Sequence, residues 1–252
     1  VDQLNEFDLA FVVDTTGSMG GLIAAAQRQM TEMIDALASA AAVSMRLGIV
    51  EYRDHPPQDS LISRAYPFTA DLRAAKKTLN GLSANGGGDG PEAVFAGLVT
   101  AANKLTWRDH ARRVAVLVGD APPHGVGARG DSFAGGCPSG ETIHSTSAKL
   151  ENKNIRLYAI ALTREVTDSF GQLSSLTGGK LFAAGQGNAA IEQLKTLLTD
   201  EFGQLDFDRQ VHGQWTAASA PSVEIVAERL AVPPARVAAA VSRLTCRNLL
   251  SV

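Results

Sequence analysis

Apolar and polar positions alternate along the chain in blocks that read as strand, then helix, repeated. Asp8-Leu9-Ala10-Phe11-Val12-Val13 is a short apolar run closed by Asp14, as expected of a strand buried on both faces. From Gly20 to Ala42, Leu22, Ile23, Met30, Met33, Ile34 and Leu37 recur at spacings of three and four, which predicts an amphipathic helix. Arg46–Tyr52 is a second strand. Leu61–Phe68 is a third, separated by so short a turn that antiparallel pairing at an edge is expected. Helices are predicted over Leu72–Leu82 and Glu92–Leu105, with Gly86-Gly87-Gly88 breaking the chain between them.

Arg113–Val118 is a strong strand, followed by a long loop from Gly119 to about Gly140. Thr142–Lys153 (helix), Ile155–Leu162 (strand), Val166–Leu176 (helix), Lys180–Ala183 (strand) and Asn188–Phe202 (helix) continue the alternation. Strands separated by crossover-length helices predict an α/β fold: a doubly wound, mostly parallel six-stranded sheet with helices on both faces. Residues 1–203 would form this domain and 204–221 a polar linker. Residues 222–252 would form a small helical hairpin, Val223–Leu230 and Ala235–Leu244, docked on it.

Composition narrows the function classes. The 252 residues are 45% hydrophobic and 19% charged, enough to bury a large core. A formal net charge of −3 supplies no general attraction to nucleic acid or anionic membrane. No apolar run approaches the ~20 residues needed to span a bilayer. Val1-Asp2-Gln3-Leu4 shows no basic, apolar signal region, while a start on valine leaves preceding residues open. Cys137 and Cys246 read as two lone thiols, which favours a reducing, cytoplasmic setting without selecting it.

In doubly wound folds ligands bind beyond the carboxyl ends of the parallel strands. Three polar segments fall there: Asp14-Thr15-Thr16-Gly17-Ser18, Gly86-Gly87-Gly88-Asp89-Gly90-Pro91-Glu92, and Gly119-Asp120-Ala121-Pro122-Pro123-His124-Gly125. Asp14, Thr16 and Ser18 offer a carboxylate and two hydroxyls at alternate positions, with Asp120 and Asp89 arriving from separate loops. Hard cations such as Mg²⁺ require such oxygen ligands in a near-octahedral arrangement. Hydroxyls in place of carboxylates leave the ion electrophilic, ready to accept a carboxylate from outside. Glu92 reads as a cap for the helix after Pro91. Asp54 and His55 read as residues shaping a turn before Pro56-Pro57, and His124 as a structural loop residue.

These three segments, in this order, resemble the von Willebrand factor type A domain and its metal-ion-dependent adhesion site. The resemblance runs from about Phe7 to Phe202 and implies a Rossmann-like fold. It also implies a bound Mg²⁺ (with Mn²⁺ or Ca²⁺ as alternatives) and a protein partner whose Asp or Glu completes the coordination. Carried over residue by residue, Asp14, Thr16, Ser18 and Asp120 match the motif; Asp89 stands where many members have threonine. The Gly-Gly-Gly-Asp-x-Pro-Glu and Gly-Asp-Ala-Pro-Pro-His-Gly combination is similar to a mainly microbial subgroup, and to domains of α-kinase-linked and hemicentin-like proteins.

The expectation is a binding module with no catalytic residues and no organic cofactor. A haloacid-dehalogenase-type phosphatase is the rival, but Thr16 stands where its second aspartate would be. A regulator contacting DNA is the third reading. Residues 222–237 are similar to the start of a helix-turn-helix, and Arg236, Arg243 and Arg247 lie near one helical face, but a full DNA-binding unit needs a third helix or a wing. Nucleic-acid binding is accordingly the lesser expectation.

Overall fold

The computed structural model of the chain describes residues 3–39, 43–183 and 188–251. Six strands form one sheet in the order β3-β2-β1-β4-β5-β6: β1 (Glu6–Asp14), β2 (Ser44–Tyr52), β3 (Ser63–Thr69), β4 (Arg112–Gly119), β5 (Ile155–Ala161) and β6 (Leu181–Ala183). Every neighbouring pair is parallel except β2 and β3, which run antiparallel at the edge. Pro67, which donates no amide hydrogen, is tolerated on β3 because an edge strand leaves one side of the ladder unpaired. This is the expected doubly wound α/β sheet.

Alternation along the central strands sorts side chains to two cores. Phe7, Leu9, Phe11 and Val13 of β1, with Val114, Val116 and Val118 of β4, face α1 (Ile23–Ala38), α2 (Leu72–Asn80) and α6 (Asn188–Thr216). Ala10, Val12, Ala115 and Leu117 face α3 (Val94–Lys104), α4 (Ile143–Glu151) and α5 (Thr167–Leu176). Both faces are therefore covered, and β1 is buried at all nine positions. At the amino end of the sheet, fully buried Asp8 accepts Arg46 Nη2 (2.8 Å), Arg108 N (2.8 Å) and Arg108 Nε (2.9 Å), tying β1 to β2 and to the segment before β4.

Two segments differ from the pattern-based expectation. The helix expected from Gly20 begins instead as a 3-10 turn, Gly17–Gly21, and becomes α1 at Ile23; of its expected span, residues 40–42 lie outside the described residues. The expected linker 204–221 is mostly helix, because α6 continues unbroken to Thr216. Its apolar stripe changes partner on the way. Leu194, Leu198, Phe202 and Leu205 pack on the sheet, whereas Phe207, Val211 and Trp215, four residues apart, pack on the C-terminal hairpin. A single-face periodicity does not survive that change, which is why the segment reads as irregular.

The hairpin itself is α7 (Val223–Leu230) and α8 (Pro234–Cys246). Ser222 caps α7 by accepting Ile225 N, and Pro234 opens α8 at a position where its missing N–H costs nothing. Val226, Val237, Ala240 and Leu244 bury themselves against α6. The three arginines considered for nucleic acid each make contacts within the chain, Arg236 from an exposed position. Arg243 Nε donates to Asp208 (3.0 Å), and Arg236 stacks 4.1 Å above the Phe207 ring. Arg247 donates to the carbonyls of His110 (2.8 Å) and Leu4 (2.9 Å). Among the described residues no helix is long and apolar enough to cross a membrane.

Candidate metal centre

The strand order reverses between β1 and β4, and both strands deliver an acid there. Asp14 is the last residue of β1, and Asp120 follows the last residue of β4. Thr15 N still donates to Tyr52 O (3.0 Å), so the chain leaves the sheet only at Thr16. Thr16 is extended and caps the 3-10 turn that carries Ser18. Asp14 Oδ1 accepts both Thr16 N (2.8 Å) and Thr16 Oγ1 (2.6 Å). Thr16 Oγ1 lies 3.1 Å from Ser18 Oγ, and Ser18 Oγ donates to Asp120 Oδ1 at 3.0 Å. Four of the five expected site residues thus form one continuous chain of oxygens, Asp14–Thr16–Ser18–Asp120.

That chain is short of protons. Three oxygen–oxygen contacts share two hydroxyl hydrogens, since Thr16 and Ser18 each donate once. Asp14 Oδ2 is buried without a well-formed hydrogen bond, as is the nearby Tyr52 hydroxyl, which is close enough to favour the Asp14 carboxylate. Burial pushes the Asp14 carboxyl up to about 7, against the bonds from Thr16. Burial also raises Asp120, which the Ser18 hydroxyl partly offsets. A divalent cation is the group that such a carboxylate oxygen and two hydroxyls of this kind fit, and the donor set is all oxygen, as Mg²⁺ requires.

The glycine loop seals one side. Gly17 N donates to Gly86 O (2.9 Å) and Asn85 N to Thr15 O (2.9 Å), so residues 85–86 lie directly on the first loop. Gly87, at φ +77°, leaves no room for a side chain: a Cβ there would come within 2.8 Å of Glu92 Oε1 and 3.2 Å of Thr16 Cβ. Glu92 N donates to Pro122 O (2.9 Å), joining this loop to the one after β4.

Glu92 is not the expected helix cap. The α3 cap is Ala93, and the Glu92 carboxyl is buried beside Thr16, with Oε2 unpartnered. Burial, together with the nearby charges of Asp14, Asp54 and Asp89, pushes it up to about 10. Sequence reasoning missed it because Pro-Glu before a helix has an ordinary local explanation.

Asp89 lies outside the oxygen chain. Its Oδ2 accepts Ser132 N (2.7 Å) and its Oδ1 is buried and unpartnered. It groups instead with Asp54 and His124, each offering a ligand atom within 4.8 Å of the others. His124 Nε2 is 2.6 Å from Asp54 Oδ1, and Nδ1 is 2.8 Å from Asp131 Oδ1. Burial alone would lower the His124 pKa; the bonds and charges of Asp54 and Asp131 reverse this and raise it. Asp54 also accepts His55 N (2.6 Å), consistent with a turn role, but its second oxygen is free of partners. The signal for Asp54 was its place just past β2, the strand beside β1. Cys137 is buried, with Sγ 3.3 Å from His55 Nε2, and Cys246 is exposed; both thiols are free.

Comparison with known proteins agrees with this architecture. A family model described as the von Willebrand factor A domain matches residues 8–112, a span that includes Asp14, Thr16, Ser18 and Asp89 and stops short of Asp120. The α-protein kinase vwkA of Dictyostelium discoideum is 29% identical over 154 residues, 60% of this chain and 24% of the kinase. An ariadne-like RING finger protein of Acanthamoeba polyphaga mimivirus is 32% identical over 134 residues, 53% of this chain and 13% of that protein. The chain thus spans a quarter or less of the length of these relatives.

Among solved structures, BatB of Bacteroides thetaiotaomicron superposes with a TM-score of 0.57 at 14% identity, covering 77% of this chain and 98% of BatB. The pilus adhesin SpaC of Lactobacillus rhamnosus GG gives a TM-score of 0.55 at 14% identity, covering 79% of this chain and 30% of SpaC. At such identities the likeness is one of fold. Together these findings support a von Willebrand factor A domain in this chain, a kind of domain that generally mediates protein–protein interaction.

Proposed function

We propose that this chain is a metal-dependent protein-binding module and not an enzyme. Asp14, Thr16, Ser18 and Asp120 would hold a divalent cation, Mg²⁺ in preference to Mn²⁺ or Ca²⁺. When bound, that ion supplies an electrophilic position for an Asp or Glu of a partner protein. The observation that carries the reading is the buried Oδ2 of Asp14, without a well-formed hydrogen bond, at the head of an oxygen chain ending in Asp120. Asp89, the fifth residue expected there, is assigned to a neighbouring group, so this centre has fewer fixed charges and accepts an anionic partner more readily. The missing acid at Thr16 supports binding over phosphoryl transfer, since nothing two residues past Asp14 can serve as the general acid.

Calorimetric titration of the full chain with Mg²⁺ and with Mn²⁺, on wild type and Asp14→Ala, tests the proposal. Saturable binding lost in the variant is expected. Identical traces for the two proteins would remove the site. Hydrolysis of a generic aryl phosphate that Asp14→Asn abolishes would replace binding with catalysis.

A further inference from the structure

We propose that Asp54, Asp89 and His124 form a second cation site, separate from the Asp14–Asp120 chain, that takes a transition ion of the Zn²⁺ class. The three residues come from three different loops, beyond β2, beyond α2 and beyond β4, yet each presents a ligand atom within 4.8 Å of the other two. Two of their oxygens point to an absent positive group. Asp54 is wholly buried, and its Oδ2 has no hydrogen-bond partner; Asp89 Oδ1 is likewise buried and unpartnered. Buried carboxylate oxygens are rarely left so unless something else pairs with them.

The histidine is set up as a ligand. Its Nδ1 is held at 2.8 Å by Asp131, whose two oxygens are anchored by Gly125 N (2.8 Å) and Phe133 N (2.8 Å). The Phe133 ring meets the imidazole edge-on at 4.9 Å and fixes its plane. A carboxylate behind one ring nitrogen, with the other aimed at a cluster of acids, is the supporting arrangement that metal-bound histidines show. A purely structural role, an imidazolium shared by Asp54 and Asp131, accounts for one oxygen of Asp54 but leaves its Oδ2 and Asp89 Oδ1 unexplained. On binding, Nε2 gives its proton to solvent and its lone pair to the ion.

Charge points the same way. Asp54, Asp89, Asp131 and Glu92 lie together, and no lysine or arginine among the described residues forms an ion pair with any of them. Arg53, on β2's exit, is directed to Asp59 instead. His124 forms ion pairs with Asp54 and Asp131, and His55 lies beside it with ring centroids 5.9 Å apart, so a divalent ion here would balance the remaining carboxylate charge. A cleft of about 590 Å³ whose lining includes Pro122, His124 and Gly125 borders the group on the His124 side. The imidazole selects the ion: Mg²⁺ and Ca²⁺ favour all-oxygen sets, whereas Zn²⁺ and its neighbours accept nitrogen.

The inference is independent of the Mg²⁺ reading, and one experiment separates them. The full chain, stripped with chelator, is titrated with Zn²⁺ by calorimetry and with Co²⁺ by visible absorption, using wild type, Asp14→Ala, Asp89→Asn and His124→Gln. Zn²⁺ binding is expected to persist in Asp14→Ala and to weaken at least about tenfold in Asp89→Asn and His124→Gln. The Co²⁺ absorption bands should change with His124→Gln, while Mg²⁺ binding follows Asp14 alone. Asp89→Asn keeps an oxygen for Ser132 N, so it decides the matter even if His124→Gln does not fold. No Zn²⁺ binding by wild type, Zn²⁺ binding indifferent to Asp89→Asn, or Zn²⁺ binding lost with Asp14→Ala would each overturn the proposal.

Discussion

Ser18 Oγ donates to Asp120 Oδ1 across 3.0 Å, a bond between residues 102 positions apart. It closes the gap between the ends of β1 and β4, the one place in the sheet where neighbouring strands lead their chains away in opposite directions. Because Ser18 is exposed, its loss should leave the fold intact while opening the oxygen chain. Ser18→Ala is expected to keep the wild-type melting temperature in chelator and to weaken Mg²⁺ binding roughly 10–100-fold by calorimetry. Unchanged affinity would show that the Ser18 hydroxyl is not part of the centre.

The raised carboxyls make stability fall with pH when no cation is present. Asp14 holds its proton to about 7 and Glu92 to about 10 in the fold, whereas in the unfolded chain both lose it near their ordinary 3.8 and 4.5. Between those limits the unfolded state releases protons first, so each carboxyl removes up to about 1.4 kcal/mol per pH unit. The melting temperature in chelator should therefore drop from pH 5 to pH 9, and Mg²⁺ stabilisation should widen over the same interval. Glu92→Gln should flatten the part of the slope above pH 7. A flat profile in both proteins would mean that burial imposes no such penalty.

Glu201 on α6 is buried among three donors: Arg112 Nε at 2.7 Å, Tyr158 Oη at 2.9 Å, and Arg156. The charges of Arg112 and Arg156 lower its pKa in spite of its burial. Removing one member of a buried charged group leaves the others unpaired, at about 3–5 kcal/mol. Glu201→Ala should lower the melting temperature by roughly 6–20 °C. A loss under a few degrees would indicate that α6 is held by its apolar stripe alone.

The hairpin arginines should report on stability and not on nucleic acid. Arg243 pairs with Asp208, whose side chain is almost fully buried, and joins α8 to α6. Arg243→Gln is expected to destabilise by about 3 kcal/mol in thermal or denaturant melts. Salt-dependent duplex DNA binding by the wild type that Arg243→Gln abolishes, with the melt unchanged, would reverse this assignment.

The chain's own alternation of apolar runs and helical stripes determined the sheet, its two covered faces and the edge position of β3. Those features depend on periodicity within short windows, and periodicity is local. Asp14, Thr16 and Ser18 were legible for the same reason: three ligand types at alternate positions after a buried strand. Tertiary structure decided the rest. It moved Asp89 to Asp54 and His124, and buried Glu92 where a helix cap was expected. It also carried α6 past Phe202 by giving its second half a new partner in the hairpin. Each of these outcomes depends on which loops meet in space, and desolvation and charge act on that meeting, not on neighbours in sequence.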